Sequence, residues 1–297
     1  MRSVSLPSFA KINLDLRILG VRPDGFHDLK TVFRSLALFD TVTVTARRGS
    51  MVITCDEPDI PTDHRNLVWK AASLLHRTVT GKSTPPRDLV IDLRKRVPAE
   101  AGLGGGSSNA AMTLLALNKL WKLDFDLASL SRIGSRLGAD VPYFLCGGTA
   151  LGLGRGDDIY PLADMPPVHV VILRPGFGVA TSDAYKWFDE ESRRPIKEPP
   201  LRPVPAGWPA WSATLRNDLE IAVVRHHPAI ARMRQSLVDA GAAFAAMSGS
   251  GSAVFGLFER SDAARRTAND LARPGWLSVH TRTLSRRDYI RRLSGVL

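Results

Sequence analysis

The stretch from Pro98 to Ala111, PAEAGLGGGSSNAA, constrains this chain more than any other. Four of its residues, Gly102, Gly104, Gly105 and Gly106, fall within five positions and are followed by Ser107, Ser108 and Asn109. Beyond them Ala110, Ala111, Leu114, Leu115 and Leu120 recur at helical spacing. Glycine lets a backbone approach an anion closely and tolerates positive φ. Ser and Asn are residues with which helices start. A glycine-rich loop that opens into a helix aims unpaired N–H groups and the positive end of the helix dipole at one point. That arrangement is a cradle for phosphate. A flexible surface turn is the alternative, but the strand-like run Leu89–Leu93 before the loop and the helix after it favour the cradle. No Lys follows the last glycine, so this is not a Walker A loop. Asn109 stands where a Rossmann fingerprint needs its third glycine.

A chain of 297 residues, 44% hydrophobic and 23% charged, reads as soluble and globular, with one large domain or two modest ones. No apolar run is long enough to span a bilayer. Arg2, Lys11, Asp15 and Arg17 near the start argue against a secretory signal. Cys55 and Cys146 lie far apart without metal-type spacing and read as buried thiols of a cytoplasmic protein. The net charge of +11 admits nucleic acid, a membrane surface or a phosphorylated small molecule as partner. The basic residues are scattered rather than interleaved with aromatics on one strand, so no specific nucleic acid and no membrane is expected. Arginines near the C-terminus (Arg265, Arg266, Arg282, Arg286, Arg287, Arg291, Arg292) read as a solvated face. Nothing in the pattern fixes an oligomeric state.

Residues 4–20 alternate apolar and polar and predict a strand on which Lys11 and Asn13 share a face. Lys11, among Phe9, Ala10, Ile12 and Leu14, is either an edge charge or a partly enclosed ammonium. Pro23-Asp24-Gly25 predicts a turn that delivers Phe26 and His27 side by side, as an ordinary hairpin whose Phe caps the core or as a binding element. Leu29–Leu38, Thr41–Ala46 and Met51–Cys55 read as strands. Asn66 is placed to cap a helix carrying Leu67, Val68, Ala71, Leu74 and Leu75, and Asp126–Leu137 predicts another, stopped by Gly138. Asp140, set among Ala139, Val141 and Pro142, is a cap or turn residue, or else needs a cation such as Lys11. Val168–Leu173 reads as a buried strand, and charge and proline density between Arg193 and Pro209 predict a loop. Helices are expected from Asn217 and from His227 to Ala240. Ser248-Gly249-Ser250-Gly251-Ser252, between two apolar runs, is a hairpin turn or a second N–H-rich loop able to close over phosphates.

Three separated motifs, SFAKINL (Ser8–Leu14), PAEAGLGGGSSNAA and SGSGSAVF (Ser248–Phe255), together resemble the GHMP small-molecule kinases. Within that superfamily RPDGFH, GADVPYF and LGGGSSNAA are most similar to the branch acting on a cytidine diphosphate-linked polyol. The resemblance implies a two-domain α+β fold. Its ATP-binding N-terminal half, of the type of ribosomal protein S5 domain 2, covers residues 1–158, and a ferredoxin-like C-terminal half covers residues 159–297. The active site lies in the cleft between them. The implied reaction is ATP-dependent phosphorylation of the 2-hydroxyl of that polyol, on the non-mevalonate route to isoprenoid precursors. By resemblance Asp140 is the general base and Lys11 its electrostatic partner. Asn66 lies near the adenine, and Pro98, Ala99, Glu100, Ala101, Gly102, Leu103, Gly104, Gly105, Gly106, Ser107 and Ser108 bind the ATP phosphates. Phe26, His27 and Tyr185 hold the cytosine, with Trp187 and Phe188 as alternatives to Tyr185. Asn13, Asp140, Gly249 and Ser250 complete the substrate side. Mg²⁺ is expected with ATP; no acidic ligand is evident, and Ser107 is a candidate. Phe26 stands where the family commonly has Tyr, and Ser252 where it usually has Ala.

Overall fold

Alternating apolar residues form β1 (Ser3–Val21), which pairs antiparallel with β2 (His27–Ser50) along its whole length, from Ser3↔Thr45 to Val21↔His27. The computed structural model describes residues 2–191, 207–208 and 213–294. The Pro-Asp-Gly turn joining the two strands closes through the Arg22 N–H, which donates to Phe26 O at 2.7 Å. β2 runs without the break expected between Leu38 and Thr41. No glycine or proline stands there, and Phe39 and Asp40 stay paired with Phe9 and Ser8 while Asp40 is fully buried. So long a strand has two edges to fill. β1 takes one, and on the other β4 (Arg87–Arg94) pairs with Thr41–Ser50 while β5 (Thr149–Gly154) pairs with Leu29–Arg34. β3 (Val52–Cys55) adds in parallel to β4, and β6 (Asp158–Pro161) antiparallel to β5.

Helices α1 (Leu67–Thr80), α2 (Gly105–Trp121), α3 (Leu127–Gly134) and α4 (Val141–Cys146) pack with this sheet around a core that includes Phe9, Val42, Leu75, Leu89, Leu114 and Phe144. α2 is buried on every face from Ser108 to Leu117, where its residues are small or aliphatic.

The second sheet contains β7 (His169–Pro175), β8 (Phe244–Met247), β9 (Val254–Phe258) and β10 (Trp276–Arg282), all antiparallel, in the order β10-β7-β9-β8. α5 (Thr181–Glu191), α6 (Asp218–His226) and α7 (Pro228–Asp239) connect β7 to β8, and α8 (Ser261–Asp270) connects β9 to β10. This is the split β-α-β arrangement of ferredoxin-like domains. The chain then returns to the first unit. α9 (Arg286–Leu293) sets Tyr289 and Leu293 into the first core, and the Tyr289 hydroxyl donates to Phe144 O at 2.6 Å. The C-terminal arginines are therefore not one solvated face. The Arg286 guanidinium donates to the carbonyls of Thr149 and Leu162 and Arg292 lies over the Phe9 ring, whereas Arg266 and Arg291 make exposed pairs with Asp262 and Asp288.

A third apolar cluster joins the sheets: Ile12 and Leu14 meet Val170, Ile172, Phe255 and Leu257. Ala101 and Leu103 of the glycine loop are rooted in it, 2% and 1% exposed. Burying a leucine is worth about 1.5–3 kcal/mol, so the loop is held where the sheets meet. Of the stretch read as a loop between Arg193 and Pro209, only Gly207 and Trp208 lie among the described residues, and Trp208 belongs to this cluster. No helix among the described residues is long and apolar enough to cross a membrane.

Candidate active site

Helix α2 begins earlier than the Ser and Asn residues suggest. Gly104, in the left-handed region at φ 72°, is its N-cap, with no side-chain capping bond. The first intrahelical bond runs from the Ser108 N–H to Gly104 O at 2.9 Å. The N–H groups of Gly105, Gly106 and Ser107 precede it and are the donors this helix end presents. Ser108 does not join the cradle: its N–H is engaged in the helix, and its hydroxyl is fully buried against Ser8 Oγ at 2.8 Å. The other residues expected there, Pro98–Ser107, line the cleft.

The Ser248–Ser252 segment is a hairpin turn between β8 and β9, and it also walls this cleft. A Cβ on Gly102, whose φ is 70°, would fall 2.0 Å from Ser248 O, so the two loops touch backbone to backbone. Ser248 Oγ donates to Gly102 O at 2.9 Å. Asn217, the cap of α6, donates to Met247 O and Gly249 O at 2.9 and 2.7 Å and holds the turn in place.

Lys11 is an enclosed ammonium, with 4% of its side chain exposed. Its Nζ lies 2.5 Å from Asn13 Oδ1 and 3.3 Å from Asp140 Oδ2, and its N–H donates to Leu103 O at 3.0 Å. The Asn13 amide is oriented by a relay: Nδ2 donates to Thr31 Oγ1 at 2.7 Å, and that hydroxyl donates to Asp15 O at 2.7 Å. Oδ1 is therefore the atom that faces Lys11. Asp140 precedes α4, whose Val141, Tyr143 and Phe144 are fully buried and pin the turn. Its carboxylate makes no capping bond and is 32% exposed. A carboxylate open to the cleft and held beside an enclosed ammonium is placed to accept a proton from a nearby hydroxyl.

Across the cleft, Phe26 is exposed at the tip of the β1–β2 turn, with the Arg155 guanidinium 5.5 Å from its ring centre. The His27 ring stacks on Tyr185 at 4.8 Å and 27°, and its Nε2 lies 2.7 Å from Asp189 Oδ1. The phase of α5 decides among its aromatics. Tyr185 faces the cleft, Trp187 stacks on His226 at 4.2 Å, and Phe188 enters the core of the second sheet. Burial, and after it the charge of Asp140, push the Tyr185 phenol above its ordinary value, so it remains an O–H. One cavity of about 1440 Å³ takes in Asn66, the glycine loop, Lys11, Asp140, Phe26, His27, Tyr185, Gly249 and Ser250. It exceeds the ~300–1,000 Å³ of a site for one drug-sized ligand, and so has room for two. Asn66 shapes its wall as the α1 cap, with Oδ1 accepting from the Val68 N–H at 2.9 Å and Nδ2 donating to Pro61 O at 2.6 Å.

Profiles described as the GHMP kinases N terminal domain and GHMP kinases C terminal match residues 66–148 and 208–275. The 4-diphosphocytidyl-2-C-methyl-D-erythritol kinase of Syntrophus aciditrophicus (strain SB) is 40% identical over 91% of this chain and 95% of its own. The chain belongs to the 4-diphosphocytidyl-2-C-methyl-D-erythritol kinase family of GHMP kinases. The relative of the same name from Solibacter usitatus (strain Ellin6076) is 41% identical over 88% of this chain and 83% of its own. A crystal structure of 4-(cytidine 5'-diphospho)-2C-methyl-D-erythritol kinase matches the fold with a TM-score of 0.76 at 35% identity, covering 94% of this chain and 99% of the other. The mevalonate kinase of Methanococcus jannaschii, 11% identical with a TM-score of 0.63 over 96% of this chain and 98% of its own, shares the fold. As a kinase of this family the protein takes ATP as its phosphoryl donor.

The kinase also carries site residues that sequence reasoning did not reach. Fully buried Asp40 accepts from the N–H groups of Arg96 and Val97 at 2.7 and 2.8 Å, from Asn109 Nδ2 at 3.0 Å and from the Lys95 ammonium. Lys95 in turn donates to Asn109 Oδ1 at 3.0 Å. A single carboxylate thus grips both ends of the glycine loop, and its burial is compensated because every partner is a donor. Its only trace in the sequence is an acid inside an apolar strand; the partners lie 55 to 69 residues away. Asp189 was missed as well, although it follows Tyr185 by one helical turn.

Proposed function

We propose that the kinase transfers the γ-phosphoryl group of ATP to the 2-hydroxyl of 4-diphosphocytidyl-2-C-methyl-D-erythritol, a step in non-mevalonate isoprenoid precursor synthesis. The observation that carries this reading is the Lys11–Asp140 pair, 3.3 Å apart, sharing one cleft with a helix-end N–H cradle and an imidazole–aromatic pocket. A polyol hydroxyl is a weak nucleophile and needs a base within reach. Asp140 takes the hydroxyl proton as the oxygen attacks the γ-phosphorus; the bond from that phosphorus to the β–γ bridging oxygen breaks, and ADP leaves. Lys11 is the electrostatic partner of Asp140 and offsets negative charge on the transferring group. The N–H groups of Gly105, Gly106 and Ser107 hold the ATP phosphates, with Pro98–Gly104 shaping the loop and Asn66 near the adenine. Phe26, His27 and Tyr185 receive the cytosine, and Asn13, Gly249 and Ser250 face the polyol diphosphate. The role implies a cytoplasmic enzyme, which suits the free thiols Cys55 and Cys146.

Mg²⁺ accompanies ATP in this reading. Among the described residues no three His, Cys, Asp or Glu side chains converge, which suits an ion that keeps waters and takes most of its oxygens from phosphates. The Ser107 hydroxyl, beside Gly138 and lining the same cleft as Asp140, would hold it together with those phosphates. When bound, the ion offsets charge on the phosphoryl oxygens.

A coupled ADP-release assay against the cytidylyl polyol, homoserine and mevalonate tests the assignment. Turnover is expected with the cytidylyl substrate alone, and equal or faster turnover of homoserine or mevalonate would overturn it.

A further inference from the structure

One helical turn of α5 grips His27 from two directions. Tyr185 stacks on the face of the imidazole at 4.8 Å, and Asp189, four residues on, meets its edge with Oδ1 2.7 Å from Nε2. The imidazole is 10% exposed and borders the cleft, whereas the Asp189 side chain is half exposed at 50%. A neutral imidazole has one donor nitrogen and one acceptor nitrogen, and the nitrogen that faces a carboxylate carries the proton. Nε2 is then the donor, and Nδ1 keeps its lone pair. The stacked phenol resists rotation of the ring, which would carry Nε2 away from Asp189.

We infer that Asp189 is a positioning residue: it fixes His27 as the Nε2–H tautomer, so that the cleft offers a base an acceptor rather than a donor. This rests on the assignment of His27 to the base. An acceptor there favours a base with an exocyclic amino group, as in cytosine, over one with a carbonyl at the same place, as in uracil. Asp189 acts through the imidazole and does not enter the chemistry at Asp140.

The test uses the full-length enzyme, labelled with ¹⁵N-histidine, and its Asp189→Ala, Asp189→Asn and His27→Ala variants. There are seven histidines, and loss of a signal in His27→Ala assigns the one required. Two-bond ¹H–¹⁵N spectra of the wild type should show His27 as the Nε2–H tautomer, and Asp189→Ala should give a tautomer mixture. Asp189→Ala should raise KM for the cytidylyl substrate about tenfold, the loss of roughly one hydrogen bond to a charged group. Its kcat at saturation and its KM for ATP should stay within twofold, on the order of 0.4 kcal/mol or less. Its preference for the cytidylyl substrate over the uridylyl analogue should fall by a similar factor, and Asp189→Asn, which keeps an acceptor oxygen, should retain most of it. An Nδ1–H or doubly protonated His27 in the wild type overturns the proposal, as does an unchanged cytidylyl-to-uridylyl ratio in Asp189→Ala. If His27→Ala raises KM while Asp189→Ala does not, only the role of Asp189 falls. If His27→Ala leaves KM unchanged, the base assignment falls and takes this proposal with it.

Discussion

Replacing Asp140 by Asn changes the charge and basicity of one side chain while keeping its shape, and two consequences of different size follow. The carboxylate lies 3.3 Å from the Lys11 ammonium. At an effective dielectric of ~20 their gross attraction is about 5 kcal/mol. Asp140 is 32% exposed, so water screens part of that, and the desolvation of Lys11 offsets more. A net stability loss of roughly 1–2 kcal/mol is expected. The catalytic consequence is larger: removing a general base costs on the order of 10²–10⁴ in rate, or about 3–5 kcal/mol in the barrier. At saturating substrates, ADP release by Asp140→Asn should fall at least ~100-fold. Its Tm should drop by a few degrees, while the Tm increment on adding ATP stays at the wild-type value. Lys11→Met should cost a comparable factor, and the double variant much less than the product of the two, because the residues act as a unit. A kcat for Asp140→Asn within ~10-fold of wild type would refute its assignment as the base. Loss of the ATP-dependent Tm increment would move Asp140 to the nucleotide site instead.

Asp40→Ala removes the carboxylate partner of the Lys95 ammonium and one acceptor from each of three other donors, and should cost about 3–5 kcal/mol in urea unfolding. It should also raise KM for ATP, and an unchanged KM would show that the glycine loop holds its shape without this anchor. Phe26→Ala should raise KM for the cytidylyl substrate by about 5- to 100-fold, the worth of a base–aromatic stack, with KM for ATP unchanged. Trp187→Ala should lower Tm and leave both KM values alone; the opposite pattern would exchange the roles of Trp187 and Tyr185. His169 and His280 stack on the second sheet at 5.5 Å, with His280 Nε2 3.4 Å from His169 Nδ1. Burial first lowers both pKa values, followed by Arg265 and Arg282 for His169 and by His169 and Arg265 for His280. The unfolded chain then binds more protons than the folded one near the ordinary histidine range, so stability falls as pH drops below about 6.5. His280→Gln should flatten that slope in urea titrations between about pH 7 and 5.5, and an undiminished slope would assign the effect elsewhere.

Much of the local structure was legible because it is written in neighbouring residues. Alternation over residues 4–20 marked β1, and Asn66, Asp126 and Asn217 each cap the helix that follows them through a side-chain oxygen. The glycine run marked a helix end able to present N–H groups. The spacing of Lys11 and Asn13 put them on one face, and they are hydrogen bonded there. Less was legible where two local rules compete. Ser107–Asn109 have the chemistry of a helix start, yet Gly104 supplies the cap and Asn109 turns instead to Asp40 and Ser8.

By itself, the sequence determined many of the strands, helices and glycine turns, since periodicity and capping act within a few residues, but not α4, α5, α8, α9 or β10. Only the tertiary structure decided which distant groups meet. Packing of α4 against the first sheet brings Asp140 within 3.3 Å of the Lys11 ammonium, far away in the chain. The phase of α5 turns Tyr185 and Asp189 toward His27 and sends Trp187 away, and the packing of α9 recruits Tyr289 and Arg286 to the first unit. These outcomes depend on how whole sheets and helices pack against one another, a balance of many small contacts that no short stretch of sequence contains.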